Sequence, residues 1–260
     1  MTGRRVRCAC ARTTLLTVAF FAVARLSAVA GPPYETDDPD PTQYKGYEIY
    51  FHVDYHRIDE NIQGSVGTLE INYGLFPNTQ FSVDLPEAFS PIGMRTFYGF
   101  GDLGIGLKYR FIQETASSPQ VSFYPSVTVA TGDVAEGLGE GHGTLFLPLW
   151  AQKSIGPWTI FGGGGIQFDR EQSGPLSGWQ EGIAFTRDLS DATNVGVEIF
   201  HANAVGLQPE YTDIGLGYIG EIGDDHAIVF SGGRAIGPGS SAHAYLAYEW
   251  RLGAEAGPGH

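Results

Sequence analysis

The most constraining feature of this sequence is the alternation of apolar and polar residues in many short segments. From Tyr47 to Tyr55 the odd positions carry Tyr, Ile, Phe, Val and Tyr, whereas the even positions between them are mostly charged or imidazole side chains. Successive side chains of a β-strand point to opposite faces, so the pattern predicts a strand with one apolar and one polar face. A single strand of this kind is also typical of soluble sheets. Repetition along the chain is therefore the informative property.

Twelve segments carry this pattern, clearly or in a weaker form. They are 47–56, 68–75, 80–85, 102–111, 121–129, 143–154, 158–168, 178–188, 193–202, 211–220, 226–235 and 245–252. Tight connections such as 76–78 alternate with longer ones such as 86–99. An even strand count with short turns at one end and long loops at the other is typical of outer-membrane barrels. The sequence predicts an all-β fold, a transmembrane antiparallel up-and-down β-barrel of about twelve strands over 44–252, with a tail at 253–260.

Aromatic residues near the strand ends favour this membrane barrel over a soluble β-sandwich or a lipocalin-like barrel. They are Tyr47, Phe76, Tyr109, Phe111, Trp158, Phe168, Trp179 and Trp250. Aromatic girdles form at the two membrane interfaces because these rings combine apolar faces with polar edges. The soluble alternative would enclose the apolar face of each strand. The membrane barrel instead turns it outward, at Ile49, Phe51, Leu69, Ile71, Ile105 and Leu107.

The first thirty residues have the organisation of a cleavable signal peptide. Arg4, Arg5 and Arg7 form a positive start, 15–26 is an apolar run, and the small residues 28–30 precede a cleavage position. The apolar run is interrupted by an arginine and is too short to span a bilayer as a helix. We therefore expect residues 1–30 to direct export, and the mature protein to reside in the outer membrane of a Gram-negative cell, in contact with its lipid.

The composition of the mature chain excludes two classes of function. Removal of residues 1–30 takes away five of the 15 basic residues and none of the 29 acidic ones, which leaves a net charge of −19. Such a surface is a poor partner for nucleic acid, whose phosphates require cations. Both cysteines, Cys8 and Cys10, are lost with the signal peptide. We therefore expect no disulfide and no thiolate metal site.

Residues 31–43 are rich in proline and in acidic side chains. Proline has no backbone N–H and disfavours both helix interiors and central strands, so we expect an irregular leader here. Two arrangements of the leader are open. It could be a disordered periplasmic tail, or it could fold into the lumen and narrow it, with its carboxylates meeting Lys108, Arg110 or Arg251.

The polar faces of the predicted strands supply the residues that we expect to line the lumen. They are Glu48, His52, Asp54, Glu70, Asp84, Asp102, Lys108, Arg110, Glu198, Glu249 and Arg251. Two interpretations of this set are open: ion pairs that support the barrel, or a charged constriction that sets selectivity. Because acidic residues outnumber basic ones, an open pore is expected to favour cations or neutral solutes over anions.

No pattern in the sequence indicates a catalytic centre, a cofactor or a metal site. His52 and His56 share a strand face but lie roughly 13 Å apart, too far for one metal ion. The glycines at 99–104 open a predicted strand, so no helix N-terminus is available for a nucleotide phosphate. His201-Ala202-Asn203 resembles the His-x-Ser-Asn stretch of barrel lipid A deacylases, with Ala202 at the position of the nucleophile. We therefore expect a protein that is not an enzyme.

Several segments together resemble an outer-membrane family. They are PPYETDDPDP (32–41), GFGDLGIGLKYRF (99–111), PLWAQKSIGPWTIFGGGG (148–165), VGVEIFH (195–201), VFSGGR (229–234) and YLAYEW (245–250). In this order they are similar to the family labelled "MetA-pathway of phenol degradation". The resemblance implies a channel-like or transporter-like barrel for the passive uptake of small hydrophobic or aromatic compounds. An outer-membrane lipid hydrolase and a purely structural barrel are the alternatives.

Overall fold

In the part of the chain that the computed structural model describes, fifteen β-strands form one sheet. They are β1 (Tyr47–Ile58), β2 (Asn61–Phe76), β3 (Thr79–Leu85), β4 (Glu87–Ile92), β5 (Arg95–Phe100), β6 (Leu103–Ile112), β7 (Gln120–Phe123), β8 (Ser126–Val129), β9 (Thr144–Ile155), β10 (Trp158–Asp169), β11 (Ser177–Ser190), β12 (Thr193–Ala202), β13 (Tyr211–Ile222), β14 (His226–Ala235) and β15 (Ser241–Leu252).

The structure describes residues 33–58, 61–170, 175–206, 208–236 and 241–253. The predicted signal peptide and residues 254–260 of the predicted tail lie outside these ranges. Within them, no helix has the length and apolar character needed to cross a bilayer.

The sheet closes on itself, because β1 is hydrogen-bonded to both β2 and β15. β3 and β4 both pair with β2, one after the other along its length. On their other side β3 pairs with β6 and β4 pairs with β5, so β5 and β6 together occupy the next position of the barrel. β7 and β8 both lie between β6 and β9, separated at Tyr124 and Pro125, where proline lacks the N–H that a sheet ladder requires. The fifteen strands thus occupy twelve positions of a closed antiparallel barrel, and the predicted fold is confirmed.

The two ends of the barrel differ in their connections. Tight turns at 77–78, 156–157 and 191–192 lie at the same end as the start of β1 and the end of β15, and we call this the turn end. The opposite end, the loop end, carries the longer connections. The predicted loop at 86–99 is instead largely the β4–β5 hairpin, closed by Gly93 at φ 62°. The backbone N–H and C=O groups of this segment are hydrogen-bonded to each other across the hairpin, so the sheet extends beyond the strand bounds predicted from the sequence.

The apolar face of the strands points out of the barrel. The eight aromatic residues predicted for the interfaces are each at least 38% exposed. Of the six residues predicted to face outward, Phe51 and Leu107 are 50% and 43% exposed, and the other four are half-buried. The inner face combines buried aromatic rings, such as Tyr50 and Trp150, with buried polar side chains. These strands therefore do not enclose an apolar core, as a soluble β-sandwich or lipocalin-like barrel would.

Candidate functional site

Residues 33–43 of the leader lie inside the barrel. Thr36, Asp38, Pro39 and Thr42 are all buried, although none of them belongs to a strand. Near the turn end, the Thr42 backbone N–H donates to Gln80 Oε1 at 2.8 Å, and the Thr42 hydroxyl lies 3.0 Å from a Glu48 carboxylate oxygen. Of the two arrangements open from the sequence, the structure has the one in which the leader occupies the lumen.

Two basic residues of β6 hold the acidic part of the leader. Lys108 Nζ lies 3.1 Å from Asp37 Oδ1 and 3.5 Å from the Asp40 carbonyl oxygen. Arg110 forms an ion pair with the Asp40 carboxylate and also donates to Gln120 Oε1 at 2.9 Å. A charge that is buried without a partner is costly, so these contacts are what allows Lys108 and Arg110 to face inward.

The buried carboxyl groups of the leader are perturbed by their surroundings. Burial raises the pKa of Asp38, and the nearby Lys108 opposes this shift. Burial also raises the pKa of Asp40, against the opposing effect of Arg110. In both cases the low-dielectric interior disfavours the charged form more than the neighbouring cation favours it.

The first described part of the leader contacts the opposite wall. Glu198 on β12 accepts the backbone N–H groups of Glu35 and Thr36 at 3.1 and 3.0 Å. The Tyr34 ring meets Phe161 edge-on, with centroids 5.7 Å apart. Tyr34 also lies directly over Gly217 of β13, where a Cβ atom would come within 2.4 Å of the ring. The absence of a side chain at this glycine makes room for the leader.

Glu35 takes part in a cluster with two residues near the loop end. His243 Nδ1 on β15 lies 3.0 Å from Glu35 Oε1 and 3.4 Å from Asp213 Oδ2 on β13. Tyr211 donates its hydroxyl to the other Glu35 oxygen at 2.8 Å, and Ser241 donates to the other Asp213 oxygen. None of these residues is among the predicted lumen-lining set, so sequence reasoning missed the cluster.

A second cluster lies on the wall formed by β1, β2 and β3. His52 Nδ1 is 3.6 Å from Asp54 Oδ1, and His52 Nε2 is 3.9 Å from Asp84 Oδ1. Glu70, which is opposite Asp84 in the β2–β3 register, accepts a hydrogen bond of 2.7 Å from Asn72. The structure therefore brings four of the predicted residues together on one wall of the barrel.

The closing strand carries a third group of predicted residues. Arg251 forms an ion pair with Glu221 of β13, and its Nε lies 3.6 Å from a carboxylate oxygen of Glu249. Glu48 is opposite Arg251 in the β1–β15 register, but its carboxylate accepts from Thr42 of the leader. Arg251 is thus paired with the wall rather than with the leader.

Asp102 has a different environment from the other predicted residues. Its Oδ1 accepts the backbone N–H groups of Thr131 and Gly132, each at 2.9 Å, and its Oδ2 accepts that of Glu140 at 2.7 Å. These bonds fix the connection between β8 and β9, whose Leu138 is buried. The position of Asp102 thus serves to order a loop at the loop end.

His201, the residue that suggested a deacylase-like stretch, lies beside a hydroxyl group of the neighbouring strand. Its Nδ1 is 2.8 Å from Thr212 Oγ1, and its Nε2 is 3.3 Å from Asn203 Nδ2. Ala202, at the nucleophile position of the deacylase pattern, is buried on the other face of β12. The arrangement does not reproduce that pattern.

Comparison with solved structures agrees with the fold. The COG4313 outer membrane channel from Pseudomonas putida F1 superposes with a TM-score of 0.66 at 14% identity, over 85% of this chain and 100% of that one. The KdgM porin in complex with disordered oligogalacturonate gives 0.56 at 8% identity, over 79% and 99%. The translocator domain of the autotransporter NalP from Neisseria meningitidis gives 0.53 at 10% identity, over 80% and 88%.

At these identities the likeness establishes the architecture, which is that of outer-membrane β-barrels. No family model matches the chain, and no curated protein matches it. The resemblance to the family labelled "MetA-pathway of phenol degradation" therefore stays a prediction.

Proposed function

We propose that this protein is an outer-membrane channel for the passive uptake of small hydrophobic or aromatic compounds, and that the leader is its closing element. The observation that carries the proposal is the leader itself, which lies inside a closed barrel and is held there by polar contacts with both walls. A barrel with a purely structural role has no need of an interior segment of this kind. A channel does, because the segment decides what passes.

The inner face offers surfaces suited to aromatic solutes. Trp150, Phe161 and Phe200 are buried on the inner side of β9, β10 and β12. Trp150 Nε1 has no hydrogen-bond partner among the described residues. An indole N–H of this kind can donate to a phenolic oxygen while the ring stacks on an aromatic face. These features support aromatic compounds as the substrate class.

The contacts of the leader also suggest how the lumen opens. Several of them are hydrogen bonds or ion pairs that water can replace once the leader leaves, and they are accompanied by packing contacts such as that between Tyr34 and Phe161. Displacement of the leader would therefore leave the barrel sheet intact, because each strand keeps its ladder of backbone bonds. Conduction thus depends on the balance between docked and displaced leader.

The experiment is to measure solute entry into proteoliposomes that contain the full-length barrel or a variant lacking residues 33–43. We expect phenol to enter faster than a polar solute of similar size, and the deletion to increase both rates. Trp150→Leu should reduce the preference for phenol, whereas Trp179→Leu on the outer face is the matched control. Entry rates equal to those of empty liposomes for both proteins would contradict the proposal and favour a structural barrel.

A further inference from the structure

We propose that Glu35, Asp213 and His243 bind one divalent transition-metal ion of the zinc class, and that this ion fastens the leader to the barrel wall. Each residue offers one ligand atom, and the three atoms lie within 4.8 Å of one another. Carboxylate oxygens and an imidazole nitrogen are common ligands of zinc. The inference is independent of what the channel conducts, because it concerns only the docked leader.

Two of the three distances between ligand atoms are close to those expected around a tetrahedral ion, and the third is at most 4.8 Å. Bonds of about 2.0–2.1 Å from zinc to nitrogen and oxygen place neighbouring ligand atoms roughly 3.3 Å apart. His243 Nδ1 lies 3.0 Å from Glu35 Oε1 and 3.4 Å from Asp213 Oδ2. These three atoms would take up three positions and leave a fourth for water.

The two carboxylate oxygens that face His243 Nδ1 are held in place because the second oxygen of each carboxylate accepts a hydrogen bond. Tyr211 donates to Glu35 Oε2 at 2.8 Å, which leaves Oε1 for the imidazole side. Ser241 donates to Asp213 Oδ1 and leaves Oδ2 for the same side. Metal-ligating carboxylates are typically oriented by outer hydrogen bonds of this kind. Both carboxylates are thus already turned toward one point.

The negative charge of the carboxylates around this point favours a bound cation. Asp213 and His243 are 1% and 7% exposed, and the Glu198 carboxylate lies next to them, where it binds the Glu35 and Thr36 backbone. No lysine or arginine contacts these carboxylates among the described residues. Two carboxylates that face one imidazole nitrogen need either a proton on that nitrogen or a metal ion between them. A divalent ion neutralises both carboxylates, whereas a proton neutralises one.

The three ligands come from three parts of the chain, and this gives the ion a defined role. Glu35 belongs to the leader, while Asp213 and His243 belong to β13 and β15. The two wall ligands remain close in the sheet when the leader leaves, but the site loses its third ligand. Metal binding and leader docking therefore favour each other, as thermodynamic linkage requires.

The test is a titration of the full-length, chelator-washed barrel with Zn²⁺, followed by calorimetry, and with Co²⁺, followed by visible absorption. We expect one ion per chain and an intense Co²⁺ spectrum of a four-coordinate site. Glu35→Gln, Asp213→Asn and His243→Ala should each weaken binding by at least about tenfold, and Tyr211→Phe by about 10–100-fold. Zn²⁺ should also lower the conductance of the wild-type barrel, and lower it less in Glu35→Gln.

His52→Ala is the matched control, because His52 is likewise an inward histidine beside two carboxylates, but both of these, Asp54 and Asp84, belong to the barrel wall. It should leave the affinity for Zn²⁺ unchanged. If a wall variant fails to fold, Glu35→Gln alone tests the metal site, since Glu35 lies in no strand. No binding by the wild type, or equal binding by Glu35→Gln and the wild type, would overturn the proposal and leave a protonated His243 as the cation of the cluster.

Discussion

Lys108 Nζ on β6 lies 3.1 Å from Asp37 Oδ1 in the leader, and this ion pair joins the segment inside the barrel to the barrel wall. Lys108 is only 3% exposed, and its ammonium group also lies 5.0 Å from the centre of the Tyr124 ring. An ammonium in such a place is stable only with its carboxylate partner. The contact therefore makes docking of the leader and burial of Lys108 dependent on each other.

Replacement of Lys108 should loosen the leader. Breaking a fully buried ion pair by removing one partner costs about 3–5 kcal/mol. The cost here is smaller, because the Asp37 side chain that loses its partner is 25% exposed. Lys108→Met is therefore expected to increase the open fraction in single-channel recordings. Lys153→Met is the matched control, since Lys153 pairs at 2.9 Å with Glu114, which lies near a turn and does not belong to the leader. An open fraction that rises equally in both variants would speak against a specific role of the pair.

Acidification should favour the docked leader through Asp38. Burial raises the pKa of this carboxyl in the docked state, with Lys108 opposing and Asp37 and Asp40 adding to the shift. A raised pKa means that the docked leader binds a proton more tightly, so docking weakens as pH rises above the ordinary value of about 4. We expect conductance to fall as pH is lowered from neutrality toward about 4.

Asp38→Asn provides the check on this pH dependence. It removes one of the two leader carboxyls whose pKa is raised, while Asp40 keeps the other, so it should strengthen docking at neutral pH and make the profile of conductance against pH less steep. Asp133→Asn, in the exposed connection between β8 and β9, is the matched control and should keep the wild-type profile. Conductance that rises on acidification in the wild type would show that the burial of Asp38 does not govern docking.

The barrel could be predicted from the sequence because the alternation of apolar and polar residues within a strand indicates which face points outward. The residues of the Glu35 cluster could not, and the reasons are local. His243 lies on the inner face two residues before Tyr245, but the alternation was clear only from 245 onward, whereas β15 begins at Ser241. Asp213 shares its face with Gly215 and Gly217, and glycine gives no information on hydropathy.

The position of the leader was open for a different reason. Its contacts join residues far apart in the chain, such as Glu35 and Glu198, which are separated by 163 positions. A proline-rich acidic segment has the same composition whether it is disordered or held inside a barrel. Only the tertiary structure distinguishes the two, because the compensating cations Lys108 and Arg110 belong to another element.

Gly217→Ala should disturb the docked leader without changing its charge. A Cβ atom at this position would lie 2.4 Å from the Tyr34 ring, so the ring must shift and its contact with Phe161 is weakened. We expect faster cleavage of the leader by added protease in the purified protein. Gly232→Ala is the control, because its Cβ would meet atoms only at 3.6 Å and beyond. Equal cleavage rates in the two variants and the wild type would contradict this account of Tyr34.

The last prediction concerns ion selectivity. Glu70 and Glu198 face the interior. The inward cations Lys108 and Arg110 are already paired with leader carboxylates, and Arg251 is paired with Glu221 and Glu249. The lumen therefore carries excess negative charge, and a conducting barrel should prefer cations over anions. Reversal potentials in a salt gradient measure this preference. Glu70→Gln should reduce it, whereas Glu181→Gln, whose carboxylate accepts from Trp179 at the exposed surface, should not. A clear anion preference in the wild type would show that the inner charge balance is not what sets selectivity.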